Sequence, residues 1–320
     1  LDPFFAGNIG LNLHSQAITW VLPSKGSYFG GDLIAGILAA ELDQAEETTM
    51  LIDVGTNAEV VLGCREWLLA CAGAAGPALE GGVARMGMRA AAGAIEHVVI
   101  DRDSMELQWQ TINKQPPVGI CGSGLIDLAA ELYLSRIIDL RGKFQATFQG
   151  QSAAQRAFID QRLVEQSGEL VFIVAKAEES GTAEAVVINQ IDLDAMMRSK
   201  AAMYSILETL SAQVGVALDE IKRIYVAGAF GRHIDPQQAI TLGMLPDLPL
   251  STFQPVGNSS LYGAEMILLD QAARQRAGEV AQKITYLELN VNQEFMNRFS
   301  GAKFIPHTHP ELFPSVPIFR

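Results

Sequence analysis

An α/β fold is what this sequence predicts, and three observations predict it. The apolar run "MLIDVGTN" (50–57) reads as a buried strand that stops at a glycine turn. "RIYVAGAFG" (223–231) repeats that plan late in the chain. Around both, short β-type runs alternate with longer segments of helical period, the pattern of a layered α/β domain.

The elements follow in order. "GGDLIAGILAAEL" (30–42) predicts a helix with Asp32 as its N-cap. Residues 49–54, 58–63 and 67–70 predict strands, and the loops between them are short enough for antiparallel hairpins. The Ala- and Gly-rich stretch 74–93 is at best partly helical. "HVVI" (97–100) and "ELQWQ" (106–110) are strand-like, and "NKQPPVG" (113–119) is a turn. "SGLIDLAAELYLS" (123–135) predicts a helix with Leu125, Leu128, Ala129 and Leu132 on one face.

Residues 141–168 are glutamine-rich and weakly periodic, and read as a polar surface insertion. Strands are predicted at 170–175 and 185–188. A long amphipathic helix follows, with Met203, Ile206, Leu207, Leu210 and Val214 inward and Arg198, Lys200 and Glu208 on a charged face. A further helix spans 261–274, and a last strand–helix pair falls within 283–299.

Composition narrows the function. The chain has 320 residues, 49% of them hydrophobic, which predicts a sizeable core and two lobes. Its 23 basic residues are outnumbered by 36 acidic ones, giving −13, so nucleic acid and anionic membranes are excluded as main partners. No apolar run approaches a bilayer span, and no secretory signal is visible. Three cysteines without a C-x-x-C pair point to a reducing, cytoplasmic setting and are too few for an iron–sulfur cluster.

The two glycine turns carry the chemistry. In "IDVGTN" (52–57), backbone N–H groups of Gly55, Thr56 and Asn57, with the Thr56 hydroxyl, are suited to cradle phosphate oxygens. Asp53 is suited to hold Mg²⁺ through water, because Mg²⁺ gives up its waters reluctantly. A tight hairpin with a capping aspartate would look the same. Gly228, Ala229, Phe230 and Gly231 form a turn on which adenine would lie flat, although a helix packed closely on a strand needs the same glycines. In "CAGAAGPALEGG" (71–82), Gly76 permits close approach and Glu80 is suited to accept hydrogen bonds from ribose hydroxyls. No P-loop pattern occurs, and "GICGSG" (119–124) is not the dinucleotide fingerprint. His307 and His309 form an H-x-H pair without acidic or cysteine neighbours, and read as structural.

The order of these motifs resembles the actin/Hsp70/sugar-kinase (ASKHA) ATPase superfamily. "DVGTNAEVVLG", "LLACAGAAGPALEGG", "GICGSGLIDLAAEL", "VAGAFGRHIDPQQAITLGMLPD" and "HTHPELFPSV" are more closely similar to reductive activators of corrinoid proteins, over nearly the whole chain. The resemblance implies an α/β, ribonuclease H-like ASKHA lobe with a mixed sheet over 49–320, preceded by a remnant of the first lobe and its connecting helix over 1–48. It implies ATP and Mg²⁺ as ligands, a corrinoid protein of a methyltransferase system as partner, and ATP-dependent return of Co(II) cobalamin to Co(I). Asp53, Gly55, Thr56 and Asn57 match the second phosphate loop, Gly228 to Gly231 the adenosine turn, and Gly76 and Glu80 the ribose side. "GGD" (30–32) resembles the motif on the helix joining the lobes.

A first phosphate loop and a [2Fe–2S] domain, both implied by the family, have no counterpart in this sequence. The expectation is a fragment that binds Mg-ATP weakly and turns it over negligibly alone, with a homodimer as its assembly. The alternatives are a small-molecule kinase of the same superfamily and a non-catalytic docking module for a corrinoid protein.

Overall fold

The computed structural model describes residues 3–25, 29–55, 57–74, 82 and 84–319. A two-residue ladder joins β1 (Phe4–Phe5) and β2 (Ile18–Thr19) ahead of helix α1 (Gly31–Ala39). Strands β3 (Thr49–Val54), β4 (Asn57–Gly63) and β5 (Leu68–Ala74) follow. Then come β6 (Ala94–Ile100), β7 (Leu107–Thr111), β8 (Gly119–Ile120) and α2 (Gly122–Leu134). The middle of the chain forms α3 (Ala153–Arg162), β9 (Leu163–Gln166), β10 (Glu169–Ala175), β11 (Val186–Asn189) and α4 (Gln190–Gln213). The remainder is β12 (Arg223–Ala227), α5 (Gly228–His233), α6 (Pro236–Leu242), β13 (Phe253–Gly257), α7 (Ser259–Leu269), α8 (Gln271–Lys283), β14 (Ile284–Tyr286) and α9 (Gln293–Ala302).

One mixed six-stranded sheet organises the molecule, in the order β13-β12-β3-β4-β5-β14. β3, β4 and β5 form an antiparallel meander, as their short loops require. β12 lies parallel to β3, β13 parallel to β12, and β14 parallel to β5. Both faces are covered. Met50, Ile52 and Val54 join the core that includes α2 and α4, whereas Leu51 joins the one built from α1, α7 and α8. That two-sided burial explains why β3 reads as a continuous apolar run rather than an alternation.

A second sheet, β7-β6-β8, rests on α2. β8 pairs with β6 only at Ala94 and Ile95, leaving the rest of that edge without a strand. Asp127 and Glu131, four residues apart on α2, accept hydrogen bonds there from the backbone N–H of Val98 (3.3 Å) and Ile100 (3.2 Å). Two buried carboxylates therefore do the work of a missing strand partner. No helix among the described residues is long and apolar enough to cross a membrane.

Several expectations need correction. Gly30, not Asp32, is the N-cap of α1; Asp32 lies in the first helical turn. The helix expected over 261–274 is two helices, because Asp270 adopts an extended conformation and caps α8 instead. Lys200 does not belong to a solvated face. It is fully buried, and its ammonium donates to the carbonyls of Phe304 and Pro306, which the C-terminal segment brings over α4. Segment 141–168 contains α3 and β9, and Phe158, Ile159 and Leu163 reach the core from it. The run after Ala227 is a short helix beginning at Gly228 rather than an open turn.

Candidate functional site

The site is built where β3 and β12 end together. Their parallel register sets Asp53 beside Ala227, so the chain leaves β12 at Gly228 directly over the aspartate. Gly228 has φ +82°, and a Cβ there would lie 3.0 Å from Asp53 Oδ1 and 3.3 Å from the Val54 carbonyl. Only glycine permits both the angle and the approach. Gly231 has a different reason to be glycine: a Cβ would meet the Val226 carbonyl at 2.5 Å, so α5 folds tightly back over its own strand. The packing alternative thus explains Gly231, while Gly228 is spent on contact with Asp53.

The turn between β3 and β4 is closed by the Gly55 N–H donating to the Asn57 carbonyl at 2.8 Å. Thr56, and Gly76 and Glu80 in the Ala/Gly-rich stretch, lie outside the described residues. The side chains of Ala229 and Phe230 lie outside them too, although their backbone forms α5. Of the residues picked from the sequence, the structure therefore brings together Asp53, Gly55, Asn57 and Gly228.

Three groups that the sequence reading did not assign to this site, or assigned elsewhere, join them. Glu59 sits directly opposite Asp53 in the β3–β4 ladder. Like charges facing each other across a ladder are destabilising, so the pair needs another reason to exist. Asp32 approaches from the first turn of α1. The Ser260 hydroxyl, at the start of α7, donates to Asp53 Oδ2 at 3.4 Å.

The electrostatics follow from that crowding. Burial pushes the Glu59 carboxyl up to about 7, reinforced by the charges of Asp53 and then Asp32. Burial first, and then Asp32, also raises the carboxyl of Asp53, while the Ser260 hydrogen bond pulls it back down. Such a set is uncomfortable without a counter-charge. The donor chemistry, oxygen only, fits a hydrated divalent cation of the Mg²⁺ type. Among the described residues no three His, Cys, Asp or Glu side chains are grouped to hold a metal ion directly.

Other candidates are structural. His307 is buried against Tyr204 and Phe313, at ring-centroid distances of 5.4 and 6.4 Å. Burial first, and then the Lys200 and His309 charges, push its imidazole down to about 4. Its Nδ1 accepts the His309 backbone N–H at 3.1 Å. Cys64, Cys71 and Cys121 are all buried free thiols on separate elements, and burial drives the Cys71 thiol far up, so these residues do not fit an iron–sulfur cluster.

The mixed sheet with a β3–β4–β5 meander, the glycine turn after β3 and the glycine packed on Asp53 are the setting for the comparisons with known proteins. The family described as "C-terminal domain of RACo the ASKHA domain" matches residues 47–317, and "RACo middle region" matches residues 2–45. This chain belongs to the RACo family. A solved structure titled "Reductive activator for corrinoid,iron-sulfur protein" superposes with TM-score 0.88 and 42% identity, covering 98% of this chain and 48% of that one. "Corrinoid activation enzyme RamQ" of Eubacterium limosum is 30% identical over 290 residues, 90% of this chain and 48% of its own length. "[Co(II) methylated amine-specific corrinoid protein] reductase" of Methanosarcina barkeri is 24% identical over 87% of this chain and 49% of its own length. The chain thus spans about half the length of the curated relatives it matches. The RACo match confirms the resemblance read from the motifs and the mixed α/β ASKHA fold.

Glu59 was within reach of the sequence. A turn centred on position 56 places residue 59 opposite 53, and an acid in an otherwise apolar strand was the signal. Ser260 carried none, being one of many serines before a helix.

Proposed function

We propose that this chain is the nucleotide-binding part of a reductive activator that returns corrinoid proteins from Co(II) to Co(I) in an ATP-dependent way. The observation that carries the reading is the contact of Gly228 with Asp53 beside the Gly55–Asn57 turn. It joins two sequence-distant glycine motifs into one polar edge, within a chain of the RACo family. The relatives' names, which speak of corrinoid activation and of a Co(II) corrinoid protein reductase, support the choice of partner.

In this reading residues 1–48 belong to the first lobe and its connecting helix, and 49–320 to the second lobe, with 141–168 an insertion. The N–H groups of Thr56 and Asn57 hold phosphate oxygens, the Gly55 N–H being used to close the turn, and Gly76, Glu80, Ala229, Phe230 and Gly231 hold the nucleoside. Asp53, with Asp32 and Glu59 behind it, orients water around Mg²⁺. That ion supplies neutralisation of phosphate charge when bound. Ser260 holds the Asp53 carboxylate in place by its hydrogen bond. Closure of two lobes over the nucleotide changes affinity for the corrinoid protein, since a ligand shifts a conformational equilibrium by its differential affinity for the two states. The electrons come from a [2Fe–2S] domain elsewhere in the polypeptide. The setting is the cytoplasm, and the assembly a homodimer.

The test is thermal stability against Mg-ATP. One Asp-x-Gly-Thr loop supplies only part of the usual donors, and each missing charge-assisted bond is worth about 1.5–3 kcal/mol. The expected result is little shift at micromolar ligand and a small rise at millimolar ligand. Asp53→Asn should reduce that rise. A rise unchanged by Asp53→Asn places the nucleotide elsewhere, and transfer of phosphate to a small acceptor would favour the kinase alternative.

A further inference from the structure

A cavity of about 200 Å³ lies at the C-terminal end of α2, between segment 141–168 and the stretch that ends at Phe319. It shares no residue with the turn beside Asp53. About 150 Å³ is enough for one benzene ring, so the space suits a ligand of that size.

We propose that this cavity binds a small organic carboxylate, with the Arg136 guanidinium as its receptor. Three features of Arg136 lead there. The first is its backbone. Helix α2 is capped by Ser135, and the next residue, Arg136, has φ +61°, the left-handed conformation that glycine usually supplies at that point. A long L-residue is held there against a steric penalty. The second is the setting of its head group. The guanidinium carbon lies 4.4 Å from the centroid of the Phe148 ring and 5.5 Å from that of Phe319. Tyr133 packs on Phe319 at 5.4 Å, and its hydroxyl donates to the Pro317 carbonyl at 2.8 Å, so the second ring is itself tied down. Aromatic contact engages the face of a guanidinium and leaves its in-plane N–H donors free.

The third feature is pairing. Among the described residues, no carboxylate or carbonyl takes those donors. Asp139 also lines the cavity, but its Oδ1 accepts the backbone N–H groups of Arg141 (2.7 Å) and Lys143 (2.9 Å) instead. A half-buried guanidinium, fixed by two rings and with its donors unused, has the form of an anion receptor.

The rest of the lining selects the anion. A carboxylate is planar and matches the two-pronged edge of a guanidinium. Gln145 and Gln149 add neutral amides, and among the described residues no second cation lines the cavity. One cation, in a chain of net charge −13, does not favour a phosphate dianion. Ile138 and Leu140 make the remaining wall apolar, which suits a short hydrocarbon or an aromatic ring behind the carboxylate.

Saturation-transfer NMR of the whole chain with benzoate, competed by benzamide and by inorganic phosphate, tests this. Benzoate should bind in the millimolar range or tighter. Benzamide has the same shape without the charge and should bind about tenfold more weakly, the change that one charge-assisted hydrogen bond carries. Phosphate should compete no better than benzamide. Arg136→Lys keeps the charge and loses the planar fork, and should weaken benzoate about tenfold. Arg136→Gly should abolish binding with the fold intact, because glycine adopts φ +61° without strain; an unchanged circular dichroism spectrum checks that. Benzamide or phosphate binding as tightly as benzoate overturns the carboxylate assignment. No benzoate binding at millimolar concentration, or binding indifferent to both substitutions, overturns the proposal. The Asp53→Asn thermal shift reads a different site, so this proposal and the nucleotide reading fail separately.

Discussion

Replacing Gly228 by alanine should cost this protein more than any left-handed glycine on its surface, and the structure supplies the control. Gly228 has φ +82° and Gly150 has φ +78°, so both impose nearly the same backbone penalty on an L-residue. That penalty is about 1–2 kcal/mol. They differ in surroundings. A Cβ at Gly150 meets nothing within 4 Å, whereas one at Gly228 lies 3.0 Å from Asp53 Oδ1 and 3.3 Å from the Val54 carbonyl. The second distance is also shorter than ordinary carbon–oxygen contact, and backbone cannot retreat as a side chain can. Gly228→Ala should therefore lose a further 1–2 kcal/mol or so, the scale of overpacking. Urea unfolding of both variants gives the difference as a shift in midpoint at constant slope. The same displacement of Asp53 should remove the small Mg-ATP thermal rise in Gly228→Ala and leave it in Gly150→Ala. Equal losses in the two variants, with the Mg-ATP rise intact, would refute the claim that Gly228 is fitted against Asp53.

Two further outcomes follow from buried charge. In metal-free protein, a Glu59 carboxyl raised to about 7 from its ordinary 4.5 means that the folded state holds a proton the unfolded chain has released. The stability from this group is complete below pH 4.5 and is lost as pH rises through about 7, so Glu59→Gln should be the more stable protein at pH 8. Allowing for solvent screening, the gain is about 1–2 kcal/mol and should vanish near pH 4.5; a pH-independent difference in chemical unfolding would contradict it. Lys200→Ala should lose about 2–4 kcal/mol, because it empties a buried volume and strips the donor from two carbonyls. Its amide exchange should quicken first around 304–307, where those carbonyls lie, and uniform exchange across the chain would count against Lys200 as the tie.

Much of this molecule was legible in particular residues. The continuous apolar run 49–54, ending in Asp-Val-Gly, could only be a strand buried on both faces and turned back at once, and β3–β4 is that hairpin. The run 223–227 was readable for the same reason. What was misread had a common cause. Lys200 stands three and seven residues before Met203 and Leu207, so its spacing puts it on the apolar stripe and only its charge suggested water; carbonyls from a segment a hundred residues onward satisfy it there. Asp270 sits in a run of helix formers, and its own hydrogen bond to Ala272 N–H starts a new helix.

The sequence by itself determined many of the local conformations, the class of the fold, its family resemblance and the glycine turn after β3. Those rest on contacts between near neighbours, where backbone angles and apolar spacing suffice. The tertiary structure alone decided that Gly228 packs on Asp53 and that Ser260 reaches the same carboxylate from α7. Each of these depends on which strands become neighbours in one sheet. That choice is made by the burial of whole faces, an energy summed over the entire core, and no short stretch of sequence carries it.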